Sequence, residues 1–68
     1  MEKTVIFTIN KVGNLYNIST QHKLFARYYK ANILSGELYE VMENLSAEIC
    51  NNSFKEYGEC YGVLFEIG

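Results

Sequence analysis

The chain has 68 residues, of which 49% are hydrophobic and 15% aromatic, and it carries a formal net charge of −2. This composition is too apolar for a disordered chain, and its apolar runs are far shorter than the roughly 18 residues that a membrane-spanning helix needs. The length predicts a single domain over residues 1–68, and the acidic balance argues against a strongly basic nucleic-acid-binding protein. The short apolar run near the start is unlike a signal peptide, so we expect a cytoplasmic protein without membrane attachment.

A core this small needs extra stabilisation, which small domains obtain from disulfides, a bound metal or another subunit. In a reducing cytoplasm we expect Cys50 and Cys60 to be free thiols. One histidine, His22, and these two cysteines cannot supply the four closely spaced ligands of a structural zinc site, and no motif indicates a cofactor. Association remains, so we predict a homodimer or an obligate protein partner.

Residues 4–20 are predicted to form a β-hairpin. Apolar residues alternate along both halves, and Gly13-Asn14 supplies a turn that accepts positive φ; Val12-Gly13 is the alternative turn. With the Gly13-Asn14 loop, Ile9 pairs with Ile18, so the apolar sides of both strands share one face of the hairpin.

Residues 21–34 allow two interpretations. An apolar and aromatic stripe fits a helix that Ser19 or Thr20 would cap and Gly36 would follow. The pair Tyr28-Tyr29 suits a third strand equally well, because aromatic residues favour strands. We predict a helix here.

Residues 35–51 show the clearest helical pattern in the chain. Apolar side chains recur at helical spacing, and glutamates occupy much of the remaining circumference. Ser35 is the expected N-cap, and Asn51-Asn52-Ser53 is expected to end the helix. The apolar stripe consists of Leu38, Val41, Met42, Leu45 and Ile49.

Apolar and aromatic residues recur at every second position over residues 61–67, which predicts the last strand with one strongly apolar side. Cys60 belongs to the other side of that strand. Residues 54–57 are either a short strand, joined to it by a turn at Gly58-Glu59, or a loop. The predicted fold is therefore α+β, in the order β-β-α-α-β. One or two helices pack on one face of a small antiparallel sheet made by the hairpin and the last strand.

Catalytic chemistry finds little support in these residues. A nucleophilic Cys60 assisted by His22 needs a lowered thiol pKa, and the neighbouring Glu59 acts in the opposite direction. Glu40 and Glu43 are better explained as a solvated helix face than as an acid–base pair, and a chain this short has little room for a ligand pocket. We expect a protein without enzymatic activity.

Charge is distributed unevenly. Residues 1–30 hold five basic residues and one glutamate, whereas residues 31–68 hold one lysine and seven glutamates. A basic and aromatic strip within 22–30 could contact phosphates and stack bases, which makes a small nucleic-acid-binding regulator the alternative function. Its candidate residues are Lys23, Arg27, Tyr28 and Lys30. The competing interpretation is that this strip packs against the glutamate-rich helix.

The leading hypothesis is a protein-interaction module whose acidic helix contacts its partner. Tyrosine is enriched at interaction surfaces, and six are present. The predicted partner-binding residues are Glu37, Tyr39, Glu40, Glu43 and Glu48. In size, acidity, lack of motifs and richness in Asn, Ile, Lys and Tyr, the chain resembles the small proteins that phages and mobile elements encode to inhibit host enzymes, including anti-CRISPR proteins. That resemblance implies inhibition by steric block or by acidic mimicry.

Overall fold

The computed structural model describes residues 3–68, which form one four-stranded sheet with an α-helix on one face. In chain order the elements are β1 (Thr4–Val12), β2 (Leu15–Ser19), a first 3-10 helix (Lys23–Tyr28), β3 (Lys30–Leu34), a second 3-10 helix (Ser35–Glu37), α1 (Leu38–Tyr57) and β4 (Gly62–Ile67). The strand order is β3-β2-β1-β4. The predicted α+β class, with its helical layer on one face of the sheet, is confirmed.

The N-terminal hairpin forms as predicted. Val12 pairs with Leu15 across a two-residue loop, and Ile9 pairs with Ile18. Gly13 has a φ of 63°, a left-handed conformation that glycine adopts without a steric penalty. The alternative Val12-Gly13 turn is therefore wrong, because Val12 is itself paired.

Residues 21–34 do not form the predicted α-helix. Their first part is a short 3-10 helix, in which Phe25 and Tyr28 are buried at a spacing of three, the repeat of that helix type. The second part, β3, pairs antiparallel with β2 and buries Ile33. Both interpretations of this segment were thus partly right, because the aromatic stripe belongs to one element and the strand begins immediately after it.

The first 3-10 helix is capped by His22 rather than by the predicted Ser19 or Thr20. The His22 Nδ1 atom accepts a hydrogen bond from the Leu24 amide at 3.3 Å. Thr20 has a supporting role, since its hydroxyl accepts from the His22 amide at 3.2 Å. The predicted cap position was therefore displaced by two or three residues.

The helix α1 begins later and ends later than predicted. Leu45, Ile49 and Ser53 are buried at spacings of four, so the core-facing stripe runs through the residues expected to end the helix. The helix ends where Gly58 adopts a φ of 78° and donates its amide to the Phe54 carbonyl at 2.9 Å. Residues 54–57 are consequently helical, so both the short strand and the loop suggested there are wrong.

The start of α1 also differs from the prediction. Ser35 lies in the second 3-10 helix, and Glu37 occupies the N-cap position of α1 without a capping side-chain hydrogen bond. The packing of the apolar stripe, rather than a cap, therefore fixes where the helix starts.

The last strand, β4, pairs with β1 in parallel, so the sheet is mixed rather than antiparallel throughout. The helix α1 carries the chain from β3, at one edge of the sheet, to β4, at the other edge beside β1. A parallel pair requires a crossover connection of this kind. Phe7 and Phe65 are direct partners in this pair, with ring centroids 6.2 Å apart.

The two faces of the sheet differ in what covers them. One face holds the core, which includes Val5, Phe7 and Ile9 of β1 against α1 and the first 3-10 helix. The other face is not covered by any element within residues 3–68, and its large apolar side chains are about half exposed. These are Ile6, Val12, Leu34 and Leu64.

Candidate protein-binding surface

The outer face of α1, defined by Tyr39, Glu40, Glu43 and Phe54, points away from the sheet. Tyr39 is 77% exposed and Phe54 63% exposed. Glu40 and Glu43 are also exposed, and neither makes an ion pair within residues 3–68. Tyr39 lies close to the two carboxylates in sequence, and Phe54 lies about three helical turns further along the same side, so the outer face is an amphipathic surface that extends along a rigid element.

The structure does not keep all five predicted partner-binding residues together. Glu37 is exposed and precedes α1 at its N-cap position. Glu48 lies on a different side of the helix, with its Oε1 3.7 Å from Lys30 Nζ. Only Tyr39, Glu40 and Glu43 of the predicted set belong to the outer face.

Sequence reasoning missed Phe54, which was assigned to a strand or loop. Its position is eleven residues after Glu43, a separation of about three helical turns, so both side chains lie on one side of α1. That spacing was visible in the sequence once the helix was allowed to continue past Ser53.

The basic strip packs against the glutamate-rich helix within the same chain. Arg27 Nη2 donates to Glu56 Oε1 at 2.8 Å, and Lys30 pairs with Glu48. The uneven charge distribution is therefore partly neutralised internally, which is the competing interpretation described above.

Tyr28 lies in the core rather than on the surface. It is 5% exposed, and its hydroxyl accepts from Asn52 Nδ2 at 2.8 Å and from Arg27 Nη2 at 3.2 Å. The hydrogen bond to Tyr28 raises the pKa of Arg27; partial burial opposes this shift and the nearby Glu56 carboxylate adds to it. A buried ring offers no face for base stacking. Arg27 and Lys30 are in ion pairs, so Lys23 is the one residue of the predicted strip that is exposed and makes no ion pair within residues 3–68.

Cys50 and Cys60 form a disulfide, so the expectation of two free thiols is wrong. The bond joins the last turns of α1 to the segment immediately before β4. Cys60 is therefore neither a nucleophilic thiol nor a residue of the strand. The sequence could not reveal this pairing, since it depends on α1 continuing to Tyr57 and on the turn at Gly58.

Aromatic rings surround this junction. Phe25 lies 5.3 Å from Tyr61 and 6.5 Å from Tyr57, measured between ring centroids, and His22 lies 5.1 Å from Phe25. Partial burial raises the pKa of the Tyr57 hydroxyl, and the neighbouring Glu56 carboxylate raises it further. Tyr57 and Tyr61 therefore pack against other rings at this junction, as Tyr28 does in the core.

An ion pair lies at the start of the described chain. Lys3 Nζ is 2.9 Å from Glu59 Oε2 and 5.7 Å from the centroid of the Tyr61 ring. The hydrogen bond to Glu59 raises the pKa of Lys3, against a smaller opposing effect of burial. This contact ties β1 to the turn that leads into β4.

The uncovered sheet face contains an open concavity of about 430 Å³. Its volume is within the range of small-molecule sites, but it is open to solvent rather than enclosed, so the expectation that the chain has little room for a ligand pocket stays a prediction. The lining combines β-strand residues with the loop before the first 3-10 helix: Thr4, Ile6, Thr8, Thr20, Gln21, His22 and Glu66. The alternation of β1, with three core residues on one side, already indicated that Thr4, Ile6 and Thr8 share the other.

Within residues 3–68 no group of three His, Cys, Asp or Glu side chains is arranged to hold a metal ion. Over the same residues, no helix combines the length and hydropathy required to cross a membrane. Comparison with protein-family models, with curated proteins and with solved structures finds no match for this chain.

Proposed function

We propose that this chain is a non-enzymatic protein-interaction module that binds its partner through the outer face of α1. The observation that carries the proposal is that exposed Tyr39 and Phe54 lie on the same side of α1 as Glu40 and Glu43, whose carboxylates make no ion pair within residues 3–68. Aromatic anchors with polar neighbours are the residues that dominate binding energy at protein interfaces. The carboxylates favour a partner surface that is basic at this contact.

The rigidity of α1 supports this choice of surface. The helix is fixed on the sheet by buried Leu45 and Ile49 and is tied to β4 by the Cys50–Cys60 disulfide. Side chains presented by such a helix lose little backbone freedom on binding, which reduces the entropic cost of association. An inhibitor that acts by steric block, as the resemblance implies, would use a preformed surface of this kind.

Affinity capture from a cell extract tests the proposal by comparing two kinds of variant: those that remove an aromatic side chain and those that remove the carboxylate charges. Tyr39→Ala and Phe54→Ala each remove one aromatic anchor. Because both side chains are largely exposed, neither change should alter the fold. We expect a protein retained by the unmodified chain to be lost with either variant.

The electrostatic part is tested by Glu40→Gln combined with Glu43→Gln, which raises the net charge by two. Thr4→Lys combined with Val12→Lys raises it equally on the uncovered sheet face and is the matched control. We expect the first pair to weaken capture and to reduce its dependence on salt, and the control to leave both unchanged. Equal capture by all four kinds of variant would refute binding through the outer face of α1.

A further inference from the structure

The strand β4 lies at an edge of the sheet and presents unpaired main-chain groups. The Gly62 amide donates to Lys3 O at 2.8 Å, and the Gly68 amide donates to Ile9 O at 2.9 Å. Because the hydrogen-bonding direction alternates along a strand, the groups of Val63, Phe65 and Ile67 point away from β1. No other strand within residues 3–68 pairs with that side.

The other edge of the sheet is protected in ways that β4 is not. In β3, Asn32 adopts a left-handed φ of 58°, and the pairing with β2 shifts register between Tyr16 and Ile18. Lys30 adds a charge at the start of the strand. Irregular backbone and lysine are the devices by which natural sheets prevent edge-to-edge pairing. Residues 62–67 contain no lysine, proline or register shift.

The side chains of β4 are apolar on both faces of the sheet. Leu64, on the uncovered face, is 55% exposed, and Ile67, on the face that carries α1, is 80% exposed. Val63 and Phe65 are only half-buried. Apolar residues on both faces are typical of a strand inside a sheet rather than at its edge.

We propose that β4 pairs antiparallel with β4 of a second copy of this chain, giving a dimer with a continuous eight-stranded sheet. A two-fold axis requires identical strands to run antiparallel. With the axis at Phe65, Val63 faces Ile67 of the second copy, and the outward groups of both strands form about six hydrogen bonds. No other register about an outward-pointing residue uses all of these groups.

Charge and side-chain character also favour a second copy as the occupant. In this register Glu66, the charged residue of β4, faces Leu64 of the second copy, so two carboxylates are never directly opposed. The partner strand must be apolar on both faces with a free edge of matching length, and β4 itself meets these conditions. The inference is independent of the proposed function, because the outer face of α1 takes no part in it.

Light scattering over a dilution series tests the dimer. We expect a molar mass near twice the 7.9 kDa of one chain, falling towards 7.9 kDa on dilution. Leu64→Glu should give the mass of one chain at every concentration, because it places a carboxylate directly opposite Glu66 of the second copy on both sides of the two-fold axis. Val12→Glu introduces the same charge at a similarly exposed apolar residue outside the β1–β4 pairing and should dimerise like the unmodified chain.

Two further measurements make the result independent of any loss of folding. Ile67→Pro removes an outward-pointing amide at an exposed position and should abolish the dimer, whereas Ile67→Ala keeps the amide and should only weaken it. In a mixed labelled sample, antiparallel pairing about Phe65 predicts a close contact between the α-protons of Leu64 and of Glu66 in the second copy. A single-chain mass for the unmodified protein at all concentrations, or a dimer that both Leu64→Glu and Ile67→Pro retain, would overturn the proposal.

Discussion

Ser53 and Tyr61 join the end of α1 to the start of β4 through one hydrogen bond, in which the Tyr61 amide donates to the Ser53 hydroxyl at 3.0 Å. The same hydroxyl donates to the Cys50 carbonyl at 3.1 Å. Ser53 is 1% exposed, and it is the buried polar residue of the described chain. Its two bonds explain how a serine can continue an apolar stripe, since its hydroxyl is satisfied on both sides.

Replacement of Ser53 by alanine should therefore destabilise the protein despite the small change in volume. The Tyr61 amide would lose its acceptor, and an unsatisfied polar group of this kind costs about 1–3 kcal/mol. Chemical denaturation measures the loss, and hydrogen exchange should show a specific decrease in protection of the Tyr61 amide. Ser46→Ala, at a half-buried position on the same helix, should change neither quantity. Equal effects of both substitutions would contradict this role for Ser53.

Removal of the disulfide should lower stability at the same junction. The bond closes a loop between residues separated by 10 positions, and the chain-entropy estimate for a loop of this size is about 2–3 kcal/mol. We expect Cys50→Ala combined with Cys60→Ala to unfold at correspondingly lower denaturant concentration. A second measurement uses the unmodified protein: after purification and denaturation it should show no reactive thiols until a reductant is added. Two reactive thiols in that unreduced sample would show that the bond does not form.

Gly58 is the residue that ends α1, and its backbone conformation rather than its small size is what matters. A Cβ atom at this position would meet nothing within 4 Å, whereas φ is 78°. Gly58→Ala should therefore cost about 1 kcal/mol through backbone strain alone. D-alanine at the same position, introduced by chemical synthesis, should be neutral or stabilising. Gly36→Ala is the control, since its surroundings are equally open and its φ is not left-handed.

The buried hydroxyl of Tyr28 yields a prediction about the contact between the first 3-10 helix and α1. Tyr28→Phe leaves the Asn52 side-chain amide without its acceptor, and we expect a loss of about 1–2 kcal/mol in the free energy of unfolding. Asn52→Ala alone should have a smaller effect, and the double variant should cost less than the sum of the two single changes. Additive effects would show that the hydrogen bond contributes nothing to stability.

Local signals in the sequence determined which parts of the fold could be predicted. The pairing of Ile9 with Ile18 follows from a two-residue turn and alternating apolar residues, both of which act over a few positions. The direction of β4 depends instead on where α1 ends and returns the chain to the sheet, which no local pattern encodes. The same dependence concealed the Cys50–Cys60 bond. The two residues approach each other only because α1 extends past Ser53 and the chain reverses direction at Gly58.

The candidate site shows the same division. The exposure of Glu40 and Glu43 followed from helical periodicity, and the structure places both on the outer face of α1. The placement of Tyr28 did not, because an aromatic residue beside two basic residues is compatible with either a surface or a core position. Only the packing of the first 3-10 helix against Asn52 decided between them.

Tyr57 leads to a prediction at alkaline pH. Its ring contacts Phe25 and Tyr61 with centroids 6.5 and 6.1 Å away, and burial raises the pKa of its hydroxyl above the ordinary value. A pKa that is higher in the folded state means that folding favours the neutral phenol. Tyr57 thus contributes stability that is complete below the ordinary tyrosine pKa of about 10 and is lost as pH rises through the raised value.

Tyr57→Phe keeps a neutral ring at every pH, so its free energy of unfolding should fall less than that of the unmodified chain between about pH 9 and 11. Lys3, whose pKa is also raised, titrates in both proteins, so the difference between the two curves isolates Tyr57. Ultraviolet titration should show in parallel that one tyrosine ionisation above the ordinary tyrosine pKa is absent from the variant. Tyr39→Phe, at a position 77% exposed, is the control and should reproduce the pH dependence of the unmodified chain. Identical pH dependence in both variants would mean that the Tyr57 hydroxyl is as well solvated in the folded protein as in the unfolded chain.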